Sequence, residues 1–342
     1  MMTSPTPLVL PRPGSTYPSL DPIPAPTESE FTAEFGTLLP PVQYLSTPHG
    51  RAAYYLFPRS EPDSSSPVPA PGAPTRALLI HGVQTPALGL VPFTTALRAQ
   101  FPHTTSFALL DLWGHGLSDT SVVPHTTDLF AGLVDAVLKE LGWKDDSTGV
   151  AIIGYSFGAV VSMEWLASHS STGPAVHSLT LVAPAGLLKR SWFDEQQRGW
   201  LSTACSPTDE STAAFFVLRT LEGGTWPPVL PTDWQERVGR GEVVASAVKE
   251  WQWRVHKGHE ASVVGVFRDG GVFENQALYM RAGATGVKPL VVLGELDEMS
   301  TEEEIRELGF EKIFVVKGAG HDVVRARAEE VAGRIAEFWR TI

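Results

Sequence analysis
Short apolar runs and amphipathic stretches alternate along most of this chain, and their spacing predicts strands and helices in turn. Residues 42–47 and 51–57 flank Pro48-His49-Gly50, the pattern of a β-hairpin. A Pro/Ser-rich loop follows, from Pro58 to Pro74. Then residues 76–80 read as a strand, 93–100 as a helix and 106–110 as a strand. Residues 126–141 place Leu129, Leu133, Val137 and Leu141 at helical spacing. The apolar run 149–153 reads as a buried strand, with a helix over 159–167. Residues 176–182, 288–293 and 312–316 give three more strands, and 323–341 a closing amphipathic helix. A hairpin followed by β-α-β units predicts an α/β fold with a mostly parallel, doubly wound sheet.

Two segments depart from this alternation. Seventeen of the 28 prolines fall in the first 74 residues, so residues 1–35 read as a Pro-rich N-terminal arm, extended over its first 30 or so. Phe31, Phe35, Leu38 and Leu39 are candidates to anchor its end. Between about 186 and 286 the strand signal stops. The stretch is helix-prone and holds six of the ten tryptophans: Trp192, Trp200, Trp226, Trp234, Trp251 and Trp253. It reads as a helical cap inserted into a core made of residues 36–185 and 287–342.

Composition narrows the partners. The net charge is −12, which argues against a nucleic-acid face and against an anionic membrane surface. No apolar stretch approaches the ~18 residues needed to span a bilayer, and the N-terminus lacks the basic segment of a signal peptide. Cys205 is the only cysteine, so neither an intrachain disulfide nor a thiolate metal cluster can form. A reducing, cytoplasmic setting fits this. Oligomeric state is not legible.

The candidate chemistry centres on Gly154-Tyr155-Ser156-Phe157-Gly158, a G-x-S-x-G pentapeptide between a predicted strand and a predicted helix. A serine on such a turn has its hydroxyl pushed out of the sheet, and the helix N-terminus brings free backbone N–H groups to the same spot. An activated serine also needs a base and a carboxylate to orient that base. Gly294-Glu295-Leu296-Asp297 and Gly318-Ala319-Gly320-His321 each follow a predicted strand, at the sheet edge where Ser156 lies. Asp297 is preferred as the acid, with Glu295 and Glu298 as rivals. His81, His115 and Asp111 read as braces for neighbouring loops. Gln84, Tyr155, Trp192 and Trp226 are candidates to line a substrate pocket.

Four motifs in this order, His81-Gly82-Val83, the stretch from Asp111 to Ser118, the Ser156 turn, and Asp297 with His321, resemble the α/β-hydrolase superfamily, in its capped serine-hydrolase form. The resemblance runs from about Val42 to the C-terminus. It implies Ser156 as nucleophile, His321 as general base, and an oxyanion hole from the backbone N–H groups of Val83 and Phe157. It implies no cofactor and no metal. The expected activity is hydrolysis of a carboxylic ester, lactone or thioester of a bulky apolar small molecule. C–C bond hydrolysis, acyl transfer and cofactor-free peroxidase-like chemistry use the same residues, and a non-catalytic binding protein is the remote alternative. Serine at this turn argues against the dehalogenase and epoxide hydrolase branches, which use aspartate there. The loop His81-Gly82-Val83-Gln84 also departs from the His-Gly-Gly-Gly loop of many lipases.

Overall fold
The strands predicted from the hydrophobic pattern join into one sheet in the computed structural model, which describes residues 21–61, 72–143, 149–169, 175–206, 208–287 and 289–342. They are β1 (Gln43–Thr47), β2 (Gly50–Phe57), β3 (Arg76–Ile80), β4 (Ser106–Leu110), β5 (Val150–Tyr155), β6 (Val176–Val182), β7 (Leu290–Gly294) and β8 (Lys312–Val316). Their order is β1-β2-β4-β3-β5-β6-β7-β8. β2 pairs antiparallel with both β1 and β4, and the remaining pairings are parallel. All six residues of β5 are buried, because helices cover both faces of the sheet.

The helices are α1 (Glu28–Phe35), α2 (Val91–Gln100), α3 (Thr127–Glu140), α4 (Phe157–His169), α5 (Glu195–Trp200), α6 (Glu210–Leu221), α7 (Trp234–Gly239), α8 (Ala245–Val255), α9 (His259–Asp269), α10 (Gln276–Gly283), α11 (Glu302–Glu307), α12 (Val323–Ala326) and α13 (Ala328–Trp339). Alternation along the strands divides the core. Leu78, Ile80, Leu110 and Ile152 belong to one apolar layer; Ala77, Leu79, Leu109 and Ile153 belong to the other. On one side α3 packs against α4 and α4 against α10; on the other α2 packs against α13.

Three elements differ from expectation. Residues 28–35, read as the end of an irregular arm, form α1. The Thr27 side chain and Glu30 make a reciprocal capping box, and Phe31 and Phe35 meet the Trp251 ring edge-on at 5.5 and 5.7 Å. Burial of that aromatic cluster supplies what eight residues in isolation lack. The rest of the predicted arm, residues 1–20, lies outside the described residues, as does most of the loop between 58 and 74. The closing helix is broken into α12 and α13 at Arg327, whose backbone stands at φ −135° and ψ 34°. Finally α11 is a helix that the apolar pattern does not mark, although Thr301 and Glu304 form a capping box whose T-x-x-E signature is present in the sequence.

Between β6 and β7 the chain runs through α5 to α10. Trp251 and Gln252 of α8, and His259 and Ser262 of α9, are buried against the core.

Candidate active site
Ser156 occupies the turn between β5 and α4 with φ 55°, a left-handed conformation that costs a non-glycine residue about 1–3 kcal/mol. The turn is held from both sides. The Ser156 N–H donates to the Val182 carbonyl at 2.9 Å, and its carbonyl accepts from Ala159 and Ala185 at 3.0 and 3.2 Å. Two glycines give it room. A Cβ on Gly158 would run into the Ile80 carbonyl, and one on Gly82 would lie 2.6 Å from Ser156 Cβ.

His321 and Asp297 arrive from loops that continue the β7–β8 pairing. The N–H groups of Glu295 and Leu296 donate to the carbonyls of Val316 and Ala319 at 3.0 and 2.8 Å. This register brings His321 Nδ1 to 2.8 Å from Asp297 Oδ2, and His321 Nε2 to 2.9 Å from Ser156 Oγ. With Nδ1–H donating to the carboxylate, Nε2 is left to accept from the serine hydroxyl. Asp297 is 8% exposed, and its Oδ1 accepts from the Met299 N–H at 3.0 Å. Of the sequence rivals, Glu295 turns away: it binds Lys317 Nζ at 2.7 Å and the Gly318 N–H at 2.8 Å.

Val83 and Phe157 both line the chamber in front of Ser156. Among the described residues neither backbone N–H has a hydrogen-bond partner. The loop that carries Val83 is braced by buried histidines. His81 Nδ1 donates to the Gly82 carbonyl at 2.6 Å, and its Nε2 accepts from the Leu112 N–H at 2.9 Å. His115 Nδ1 donates to the Trp113 carbonyl at 3.0 Å, and its Nε2 accepts from the Gln84 N–H at 3.3 Å. Each ring spends one donor and one acceptor, so both are neutral. Burial agrees with that, pushing His81 down to about 4 and His115 well below the usual histidine range. Asp111 Oδ1 accepts from Ala87, and its Oδ2 from Tyr55 and Leu117, while burial raises its carboxyl to about 6.

The loop is also tied to the insert between β6 and β7. His259 Nδ1 donates to the Gly114 carbonyl at 2.8 Å. Burial holds this ring at about 3, so it carries one proton and its Nε2 is an acceptor. The Gln84 side-chain amide lies 3.3 Å from that Nε2. Its Oε1 is the nearer atom and its Nε2 has no hydrogen-bond partner among the described residues; because the ring nitrogen accepts, the amide bonds it only when turned over, with its nitrogen donating.

The chamber beside Ser156 measures about 80 Å³, with Leu188, Phe267, Val272 and Met299 on one side and Gln84, Thr85 and Arg325 also in its wall. A larger cavity of about 360 Å³ shares Leu188, Leu221, Phe267, Met299 and His321 with it and reaches the surface at Trp192 and Leu296. Of the four predicted pocket residues, Gln84 and Tyr155 line the inner chamber and Trp192 the outer cavity. Trp226 lines neither; it packs against Trp253 at 5.7 Å, because its position on the insert faces another tryptophan. Sequence reasoning missed Arg325, four residues past His321, and the Glu222–Lys249 pair, which carry no local motif. Among the described residues no three His, Cys, Asp or Glu side chains converge as a metal site would. No described helix is long and apolar enough to cross a membrane.

Residues 77–334 match the model of the alpha/beta hydrolase family. The chain belongs to that family, and it is a hydrolase of the α/β-hydrolase fold. No curated protein matches it in sequence. Among solved structures it is similar to a putative lipase from Acinetobacter baumannii, with 15% identity, TM-score 0.61, and 94% of this chain and 97% of the lipase covered. It is similar also to the enol-lactonase from Burkholderia xenovorans, with 17% identity, TM-score 0.57, and 86% and 99% covered. A haloalkane dehalogenase from Bradyrhizobium elkani matches with 14% identity, TM-score 0.60, and 87% and 97% covered. At these identities the likeness is one of fold, and the chemistry has to be argued from the side chains.

Proposed function
We propose that this protein is a serine hydrolase that cleaves a carboxylic ester, lactone or thioester of a small molecule through an acyl-enzyme on Ser156. The observation that carries the reading is the relay from Ser156 Oγ to His321 Nε2 at 2.9 Å and from His321 Nδ1 to Asp297 Oδ2 at 2.8 Å.

In this reading Ser156 Oγ attacks the substrate carbonyl while its proton passes to His321 Nε2. Asp297 keeps the imidazole in the correct tautomer and stabilises the imidazolium. The negative charge on the carbonyl oxygen is met by the N–H groups of Val83 and Phe157, each such donor being worth about 3 kcal/mol in the transition state. The tetrahedral adduct collapses, and the leaving oxygen or sulfur takes the proton from His321. Water, deprotonated by His321, then attacks the acyl carbon, and the acid departs as Ser156 regains its proton.

Serine itself favours this over dehalogenation, which in this fold uses a carboxylate nucleophile. The apolar outer cavity supports a substrate whose bulk lies outside the small inner chamber. The residues between β6 and β7 act as a cap over the site in this reading. The test is hydrolysis of p-nitrophenyl esters from acetate to palmitate by wild type and Ser156→Ala, with fluorophosphonate labelling. Turnover and labelling that both vanish in Ser156→Ala support the proposal. A wild-type protein that does not label contradicts it.

A further inference from the structure
Two cations line the inner chamber, and they are not equivalent. Lys249 lies 2.6 Å from Glu222, with both side chains mostly buried, so its charge is matched. Arg325 has no ion-pair partner among the described residues. Its guanidinium stands 5.8 Å from the centre of the Tyr155 ring, and the His321 imidazole lies 5.5 Å from the same ring. The unmatched cation and the proposed base thus share Tyr155 as a neighbour. Its hydroxyl donates to the His321 carbonyl at 3.0 Å, which holds the ring in place.

The Arg325 side chain also reaches the Tyr155 hydroxyl, and only part of the hydrogen-bonding capacity of this corner is left over. Arg325 Nη1 is sealed from solvent and has no hydrogen-bond partner among the described residues. Thr85 lines the same chamber and is 3% exposed. The two groups are neighbours: a Cβ on Gly89 would stand 3.2 Å from Thr85 Oγ1 and 3.7 Å from Arg325 Nη1. A partly buried charge without a counter-ion and a buried donor without an acceptor both carry a free-energy cost. A ligand in the chamber with an anionic group offsets the first of these. The guanidinium fork matches a planar carboxylate, which is also small enough for a chamber of about 80 Å³.

We infer that the substrate carries a carboxylate besides its scissile carbonyl, and that Arg325 pairs with this carboxylate while Thr85 donates to it. The inference rests on the proposed serine-hydrolase reading and adds the substrate class: a half-ester, or an acyloxy or lactone acid, whose apolar part extends into the outer cavity. Arg325 is then a specificity residue, and the chamber has a charged pole and an apolar pole.

The test compares matched esters. p-Nitrophenyl butanoate is set against p-nitrophenyl hydrogen glutarate, which adds the carboxylate on the acyl side. Phenyl butanoate is set against p-carboxyphenyl butanoate, which adds it on the alcohol side. The readout is the ratio of kcat/KM for the anionic ester over its neutral partner, so a general loss of activity does not register. In one pair the wild-type ratio should be about tenfold or more, falling to about one in Arg325→Gln and recovering in part in Arg325→Lys. A wild-type ratio of one or below in both pairs, or a ratio that survives Arg325→Gln, overturns the inference. Calorimetry on Ser156→Ala with the same four esters separates the two proposals. Tighter binding of an anionic ester that is lost in Ser156→Ala/Arg325→Gln supports the subsite even if wild type labels with no fluorophosphonate; equal binding of both esters overturns it.

Discussion

Gln252 of α8 donates from Nε2 to the Gln84 backbone carbonyl at 2.5 Å, while its Oε1 accepts from the Gly116 N–H at 2.8 Å. One fully buried amide from the insert thus satisfies two loops of the sheet edge at once, one of them the loop that presents Val83 to Ser156. The insert is wired into the candidate site and does not merely lie over it.

Removing that amide leaves two buried backbone groups unmatched. Gln252→Leu is expected to cost about 2–6 kcal/mol in a urea titration, at ~1–3 kcal/mol for each group. It should lower kcat for a short p-nitrophenyl ester as the Val83 loop loosens. Unchanged stability together with unchanged kcat would separate the insert from the loop.

Asp297→Asn should keep the fold and lower kcat by about 10⁴-fold, because the amide favours the wrong His321 tautomer. Glu295→Gln, which loses only the exposed pair with Lys317, should show no comparable loss. Steady-state kinetics on both variants decides which carboxylate serves the base. A large loss in Glu295→Gln would point to the rival.

Gly82→Ala places a methyl group 2.6 Å from Ser156 Cβ. Turnover should fall by about 10²-fold or more as the serine and the Val83 N–H are pushed apart. The stability cost is expected to be no more than about 1–3 kcal/mol, as for overpacking elsewhere. Near-normal kcat would show that the loop can retreat without losing its alignment.

The buried histidines predict acid lability. Burial lowers His81 and His125 to about 4 and His259 to about 3, so each folded value lies below the unfolded value of about 6.5. As pH falls, the unfolded chain takes up these protons first. Stability is therefore complete above pH ~6.5 and is lost on going down towards 4 and 3. Each ring contributes a slope of about 1.4 kcal/mol per pH unit. Asp111, raised to about 6 by burial, works in the opposite direction, since its folded form protonates first below pH ~6. With His115, also held well below its usual range by burial, four histidines against one carboxyl leave a net loss of about 4 kcal/mol per pH unit between pH ~6 and ~4. Urea midpoints at pH 7 and pH 5 measure it, and equal midpoints would contradict the neutral-histidine brace.

The order of elements was legible in the chain because each carries its own period. β3, β4, β6 and β8 begin and end at the predicted residues, and Ser156, Asp297 and His321 announce themselves by glycine-rich turns at strand ends. These signals are local: a strand's apolar run, or a turn whose space only glycine leaves open, is written in adjacent residues. What no local pattern contains is the register between β7 and β8, which sets the His321–Asp297 distance and turns Glu295 toward Lys317. α1 likewise stands on Trp251, more than 200 residues away, and Trp226 faced another tryptophan instead of the pocket. Arg325 shows the same limit. A charged residue four positions past a histidine reads as surface helix, and only the packing of Tyr155 and the Thr85–Gly89 turn against it leaves its charge unmatched beside the serine. Sequence by itself determined the elements and the reactive residue types, because propensity and turn chemistry act between neighbours. Tertiary structure decided which of those residues meet and which are left without a partner, because desolvation and charge matching depend on everything that surrounds a group.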